Sequence, residues 1–362
     1  MTLRNRPTGQ SDAFVACFHR AVSHLPQPRF HTKVTQMPTY YTGPVSDHFD
    51  GKRFFGPVHS GRKSLSHILR WRLGGKRAVW PRSFDNPDPD PVLPQAEPGT
   101  VRVTMIGHAS CLIQLEGVNL LVDPVWSERA SPASFAGPRR VRKSGLAIDD
   151  LPPIDLVLVS HNHYDHLDLK TLRMLIDKHD PVIVTPLGND VIIRTAIPRA
   201  RTVALDWDER SDWQHLSVTA VPVQHWSARG FRDRNAALWA GFVLNWREHA
   251  IFIAGDTGFG AGWWAQRARR KDRPYDLAIL PVGAYEPRWF MEDAHMMPEE
   301  AVASFDLLNA RHALGCHFGT FNLTDEPVEE PLQRLGHELD RLDIDRARFR
   351  TLKPGEAWTI SL

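Results

Sequence analysis

Cysteine is scarce: the 362 residues hold three, Cys17, Cys111 and Cys316. They are odd in number, far apart and form no C-x-x-C pair. That argues against a disulfide framework and against thiolate metal ligation, and it suits a reducing compartment. Long apolar runs are also missing. None approaches the roughly 18–20 residues that a membrane-spanning helix needs, and residues 1–20 lack the apolar core of a secretory signal. The default address is the cytoplasm. Neither sign of charge dominates: 44 basic against 42 acidic residues leave a formal +2. Such a balance attracts neither nucleic acid nor an anionic membrane as a whole, so any steering must come from a local patch. There is no Walker-type phosphate loop, no GxSxG elbow and no HExxH helix. Gly258, Gly260 and Gly262 have the wrong spacing for a dinucleotide fingerprint.

What remains is globular. Hydrophobic residues make up 42%, and with glycine counted the apolar share reaches about half, as in soluble folded chains. Residues 1–100 read as an N-terminal extension, rich in Pro, Arg and aromatic residues and poor in strand-like runs. They end in a linker holding Pro81, Pro87, Pro89, Pro91, Pro94 and Pro98, where neither a helix nor a central strand fits. One amphipathic helix is predicted over 64–73, with Leu65, Ile68, Leu69 and Leu73 on one side and Arg70 and Arg72 flanking. Residues 101–362 form the second unit. VRVTMI, CLIQL, VNLLVD, DLVLVS, PVIVT, LSVTAV, ALWAGFVLNW, AIFIAG, DLAILPVG, ALGCHF and AWTISL read as strands. Helices are predicted from Asp168 to Lys178, near 188–196, near 261–270, from Pro298 to Asn309 and after Pro327. Such alternation argues a layered α/β architecture with helices covering the sheet faces.

The 18 histidines are the unusual abundance, and several are clustered. DLVLVS ends in Ser160 and runs on into His161-Asn162-His163-Tyr164-Asp165-His166, on the loop leaving a strand's C-terminal end, where α/β sites usually sit. Imidazole and carboxylate together suit zinc or a similar borderline metal. Four ligands within six residues are too crowded for one ion, whereas two and two between adjacent ions is feasible. His225, Asp256 and His317 follow other predicted strands in the same manner. His161, His163 and His225 would then hold one metal, Asp165, His166 and His317 the other, and Asp256 would bridge. Such a centre is hydrolytic, because a water shared by two ions loses its proton near neutral pH.

These blocks resemble a known family. HNHYDHLD with the later His, Asp and His is similar to the metallo-β-lactamase superfamily, which implies a four-layer αβ/βα sandwich with a two-metal site at one edge. TMIGHASCLIQLEGVNLLVDPVWSERASPASFAGPRR, QHW, GDTG, HMMPEEAV and HFGTF, in that order over residues 101–322, resemble the N-acylphosphatidylethanolamine-hydrolysing phospholipase D family. The resemblance implies a phosphodiesterase with two zinc ions per chain, releasing N-acylethanolamine and phosphatidic acid through a metal-bridging hydroxide. It implies Asp165 and the non-ligand His295 as catalytic groups, the latter contacting the phosphate or assisting the leaving group. It also implies a homodimer working peripherally on a membrane surface, with a phospholipid as substrate and no nucleic acid. Asp123, in Val122-Asp123-Pro124, is the carboxylate expected to orient a ligand imidazole. Trp126, Trp226, Trp263, Trp264 and Trp289 lie near predicted loop ends and are candidates for an acyl groove or an interfacial belt; Trp226 and Trp289 are taken as substrate contacts. Arg62, Lys63, Arg70, Arg72, Lys76 and Arg77 form a basic stretch beside the amphipathic helix, a combination that reads as a surface-lying membrane contact. The same fold and metals acting on a lactone, a cyclic phosphate or an RNA phosphodiester is the alternative. A flavodiiron-like oxidoreductase is disfavoured, since it wants a carboxylate where this chain has His163.

Overall fold

Alternate residues of single strands serve different cores, and this decides the architecture. Val101, Val103, Met105, Leu156 and Leu158 pack with Leu244, Ile251, Leu277 and Leu314 in one cluster. Their neighbours Ile106, Val157 and Val159 point the other way, onto helices. A period of two gives each strand two faces, and both are apolar here, so each sheet is covered on both sides.

The structure, a computed structural model, describes residues 38–58, 63–75 and 77–362. Cys17, Arg62, Lys76 and the segment 1–20 lie outside the described residues. The first sheet contains β1 (Thr100–Gly107), β2 (Ser110–Leu115), β3 (Val118–Val122), β4 (Leu156–Leu158), β5 (Val182–Pro186) and β6 (Arg201–Leu205). The second contains β7 (Arg210–Trp213), β8 (Leu216–Val221), β9 (Gly241–Trp246), β10 (His249–Ile253), β11 (Tyr275–Pro281), β12 (Ala310–Cys316) and β13 (Phe349–Thr351). The last strand, β14 (Ala357–Ser361), returns to the first sheet, whose order is β14-β1-β2-β3-β4-β5-β6; the second runs β13-β12-β11-β10-β9-β8-β7. β3 to β6 are mutually parallel, as are β10 to β13.

α1 (Leu65–Gly74) precedes the sheets, and α2 (Leu169–His179) and α3 (Asn189–Ala196) cover the first one through Leu172, Leu175, Ile192 and Ile193. α4 (Trp263–Ala268), α6 (Pro298–Leu308) and α7 (Glu330–Arg341) cover the second through Trp264, Val302, Phe305, Leu308, Leu335 and Leu339; the short α5 (Arg288–Met291) lies in the loop between β11 and α6. This is the αβ/βα sandwich, a metallo-β-lactamase fold.

Several details differ from the sequence reading. β6 and β7 were not expected. Both are edge strands of mixed, half-exposed residues, and a strand paired on one side carries little of the apolar signal. The helix near 261–270 shrinks to α4, because Ala261 and Gly262 take left-handed conformations. Ala237 to Ala240 lead into β9 as loop rather than strand. The proline-rich stretch is extended and fastened to the first sheet: Gln114 Nε2 donates to Leu93 O and Asn119 Nδ2 to Pro94 O, and Asp90 N donates to Gly355 O. α1 forms where expected, capped by Ser64. It is anchored by Trp71, however, whose Nε1 donates to Asp325 at 2.8 Å, and Ile68, Leu69 and Leu73 stay exposed at 40, 59 and 78%.

Candidate metal centre

The parallel strands of both sheets end at one edge of the sandwich. Asp123 follows β3, the His161–His166 loop follows β4, and His225, Asp256 and His317 follow β8, β10 and β12. His295 stands between α5 and α6. Backbone detail keeps the edge tight. Ala240 N donates to Ser160 O, joining the two sheets beside the site. Gly255 has φ +62, and a Cβ there would lie 2.7 Å from Ser160 Cβ, so only glycine lets Asp256 come this close.

The structure brings all seven expected ligands together. Asp256 Oδ2 is central, 3.1 Å from His166 Nε2, 3.2 Å from His317 Nε2, 3.8 Å from His225 Nε2 and 4.0 Å from His161 Nε2. On one side, His163 Nδ1 lies 2.8 Å from His161 Nε2 and 3.3 Å from His225 Nε2. On the other, Asp165 Oδ2 lies 3.4 Å from His317 Nε2 and 3.7 Å from His166 Nε2.

The surroundings fix which nitrogen of each ring is bare. His161 Nδ1 donates to Ser160 Oγ, His225 Nδ1 to Ala294 O and His166 Nδ1 to Asp123 Oδ2, at 3.0, 3.0 and 2.7 Å. Each Nδ1 thus has its partner on the outer side, and Nε2 is the nitrogen each ring turns inward. Asp123 is buried and also accepts from Ser160 N and Ser160 Oγ. Among the described residues, His166 Nε2, His317 Nε2 and Asp256 Oδ1 are buried without a hydrogen-bond partner. Inward-facing imidazole nitrogens beside a carboxylate oxygen without a donor fit a divalent cation, and imidazole with carboxylate fits zinc.

Protonation follows the same geometry. Burial holds His161 and His225 well below the usual imidazole range and His163 down to about 4. For His166 and His317 burial acts in the same direction, but the charge of Asp256, with Asp165 adding to it, outweighs burial. His166 is held well above the usual range and His317 is raised to about 9. Burial opposes ionisation of Asp165 and Asp256, yet the charge of His166 and the neighbouring imidazoles keep both well below the usual carboxylate range.

His295 is placed at the rim of this cluster, its Nδ1 3.9 Å from Asp256 Oδ2. Its backbone oxygen accepts from Arg288 Nη1, and Arg288 Nη2 reaches both oxygens of Glu300. Burial lowers its pKa to about 4. Trp226 packs edge-on against His163 at 4.3 Å and carries Arg234 over its face. Trp289 lies farther out, partly exposed, under the Arg70 guanidinium. Trp264 is fully buried under the second sheet and is a core residue, while Trp126 and Trp263 are half-buried.

Two residues were not found by sequence reading. Arg229 Nη1 donates to Asn162 O and Leu167 O, and its guanidinium stacks 4.0 Å from the Tyr164 ring, pinning both ends of the histidine loop. His108, in the β1–β2 turn, places Nε2 3.1 Å from Asp165 Oδ2. Its signal, a histidine directly after a strand, is the one already used for His225 and His317.

Comparison with known proteins agrees with this geometry. The β-lactamase superfamily domain matches residues 118–318. An N-acyl-phosphatidylethanolamine-hydrolyzing phospholipase D of Caenorhabditis elegans is 38% identical over 269 residues, covering 71% of this chain and 75% of the relative. The chain belongs to the N-acylphosphatidylethanolamine-hydrolysing phospholipase D family of the metallo-β-lactamase superfamily. Family membership makes it a metal-dependent hydrolase. Solved structures agree on the fold alone. An isothiocyanate hydrolase from Delia radicum gut bacteria superposes with TM-score 0.57 at 19% identity, over 72% of this chain and 99% of that one. A diiron β-hydroxylase from Streptomyces venezuelae superposes with TM-score 0.52 at 18% identity, over 74% and 55%. One scaffold carries both chemistries, so in this family the site must decide.

Proposed function

We propose that this chain is a zinc-dependent phosphodiesterase that hydrolyses N-acylphosphatidylethanolamine to N-acylethanolamine and phosphatidic acid. The observation that carries the reading is Asp256 Oδ2, centred between two sets of inward-facing imidazoles in a chain 38% identical to a relative named for that reaction. His161, His163 and His225 would hold one zinc ion, Asp165, His166 and His317 the other, with Asp256 shared. Bound there, the pair supplies Lewis acidity toward a phosphoryl group and acidifies a water to near neutral pH.

The protein's own residues do the rest. Asp123 and Ala294 O keep the rings of His166 and His225 in the tautomer that presents Nε2. His295 is neutral at pH 7 and serves as a hydrogen-bond donor to the phosphate or the leaving oxygen, not as a standing acid. Water's oxygen joins phosphorus, the P–O bond to the ethanolamine side breaks, and a proton ends on the departing alcohol. Trp226, beside His163, borders the space where the substrate must enter.

Working at a lipid surface is part of the proposal. Among the described residues no helix is long and apolar enough to cross a membrane. Support comes from exposed apolar side chains on loops that leave the strands at the site edge: Phe135 (85% exposed) after β3, Phe231 after β8 and Trp289 after β11, with Ile68, Leu69 and Leu73 on α1 nearby. α1 is tied to this edge, since Lys63 pairs with Asp293 and Trp71 packs on Phe290. The homodimer rests on the family resemblance, and molar mass measured by light scattering tests it. The deciding experiment is product analysis with purified protein on N-acylphosphatidylethanolamine vesicles, alongside a lactone, a cyclic phosphate and an RNA. Release of N-acylethanolamine and phosphatidic acid is expected; turnover confined to a non-lipid ester would replace the reading.

A further inference from the structure

Among the buried histidines at the site edge, His108 is outside the seven-ligand set, and its placement is unusual. It has φ +59, in the left-handed region that is uncommon outside glycine and that histidine visits more readily than most residues. The surroundings hold it there from both sides: His108 N donates to Thr320 Oγ1 at 2.9 Å, and His108 O accepts from His317 N at 2.9 Å. The ring lies 4.0 Å from that of His317 and edge-to-face against Phe321 at 5.1 Å. A non-glycine residue kept in this region marks a place where position matters more than local comfort.

What the position achieves is a contact with one oxygen. His108 Nε2 is 3.1 Å from Asp165 Oδ2, the same oxygen that faces His317 Nε2 and His166 Nε2. We infer that His108 is a positioning residue for Asp165: its Nε2–H holds the carboxylate so that Oδ2 is presented to the His166 and His317 side, and so sets the affinity of that metal position. The inference rests on the two-metal reading above.

Direct ligation by His108 is the obvious competitor, because its nitrogen and those of Asp165, His166 and His317 fall within 4.8 Å of one another. The geometry favours donation. His166 Nε2 and His317 Nε2 each face both Asp165 Oδ2 and Asp256 Oδ2, as ligands of a shared position would, whereas among the described carboxylates His108 Nε2 pairs with Asp165 Oδ2 alone. With Asp256 shared, that position already has four protein donors without His108.

The test compares His108→Gln with His108→Asn in the full chain. Both are amides, but the glutamine nitrogen reaches about as far as His Nε2 and the asparagine nitrogen falls short. Asn tolerates positive φ better than Gln, so the backbone favours the variant expected to fail. Zinc is titrated into chelator-treated protein against a chromogenic competitor that resolves two binding steps. For Asn, one step should weaken about 10–100-fold while the other stays within a few-fold of wild type; for Gln, both should stay within a few-fold. Equal weakening of both steps in Asn would assign a general structural role and overturn the inference. Loss in Gln as large as in Asn would make His108 a ligand, and no loss in Asn would leave the contact without consequence; either overturns it. Wild-type protein that takes up fewer than two zinc ions would instead bring down the two-metal reading itself.

Discussion

Asp123 Oδ2 accepts from His166 Nδ1 at 2.7 Å across 43 residues of sequence. The contact turns the other nitrogen of His166 toward Asp256 Oδ2, so a carboxylate at the end of one strand decides how a ligand after the next strand faces. In Asp123→Asn an amide replaces an acceptor that now serves three donors. Zinc affinity should fall about 10–100-fold, read as metal retained after dialysis against a weak chelator. Full retention would show that ring orientation does not depend on Asp123.

Asp256 touches both halves of the cluster, so Asp256→Asn should lower the content of both ions, not one, and reduce turnover by orders of magnitude. Elemental analysis beside steady-state kinetics checks this. Near-normal turnover, or loss of a single ion, would take Asp256 out of the shared position.

His295 sits at the rim, held through its backbone by Arg288 and only 3.9 Å from Asp256. His295→Ala should keep both metals yet lose roughly 10²–10³ in kcat, the cost of removing one preorganised donor. Metal content falling in step with kcat would mark it as a ligand.

Chelated protein should show a pH dependence of its own. His317 has its pKa raised to about 9 because Asp256 and Asp165 outweigh burial, against 6.5 in the unfolded chain. A raised pKa contributes stability that is complete below about 6.5 and is lost as pH climbs through about 9. The metal-stripped protein should therefore melt at lower temperature at pH 9 than at pH 6.5. Zinc-loaded protein has the opposite sensitivity near the site, since protons compete with the ion and affinity drops toward acid. Calorimetry with and without chelator separates the two; a stripped protein with no change over that window would contradict the charged His317.

The exposed apolar edge makes a prediction about vesicles. Phe135→Ser with Phe231→Ser, and separately Ile68→Ser with Leu69→Ser, should weaken sedimentation with phospholipid vesicles. Each fully buried side chain of this kind contributes about 1.5–3 kcal/mol. Hydrolysis of a small soluble phosphodiester should survive, because none of these side chains touches the cluster. If soluble-substrate activity vanished together with vesicle binding, the side chains would be serving the fold.

Much of this was legible in the sequence, and the exceptions have physical causes. Strand-end placement of His161, His225, Asp256 and His317 could be read because apolar runs announce buried strands, and a ligand just past each run lands at the same edge. β6 and β7 could not, since edge strands are only half covered. α1 was found by its leucine stripe, yet it is anchored by Trp71 bonding Asp325, 254 residues away, a long-range contact that helical periodicity does not encode. Arg229 escaped because it acts on another segment's orientation, which depends on folded proximity; His108 did carry the strand-end signal, but its contact with Asp165 in a separate loop exists only in the folded chain.

The sheet order has a consequence for how the protein is made. β1 is flanked by β2 and by β14, the last strand of the chain. Emerging from the ribosome, β1 waits with one edge unpaired until β14, far along the chain, has been synthesised, and the candidate ligand His317 comes shortly before it. A nascent chain cannot recruit the complete ligand set as a scaffold for early folding. Loading of the full candidate set has to await His317, and until β14 arrives the open flank of β1 is a segment in need of a chaperone's cover.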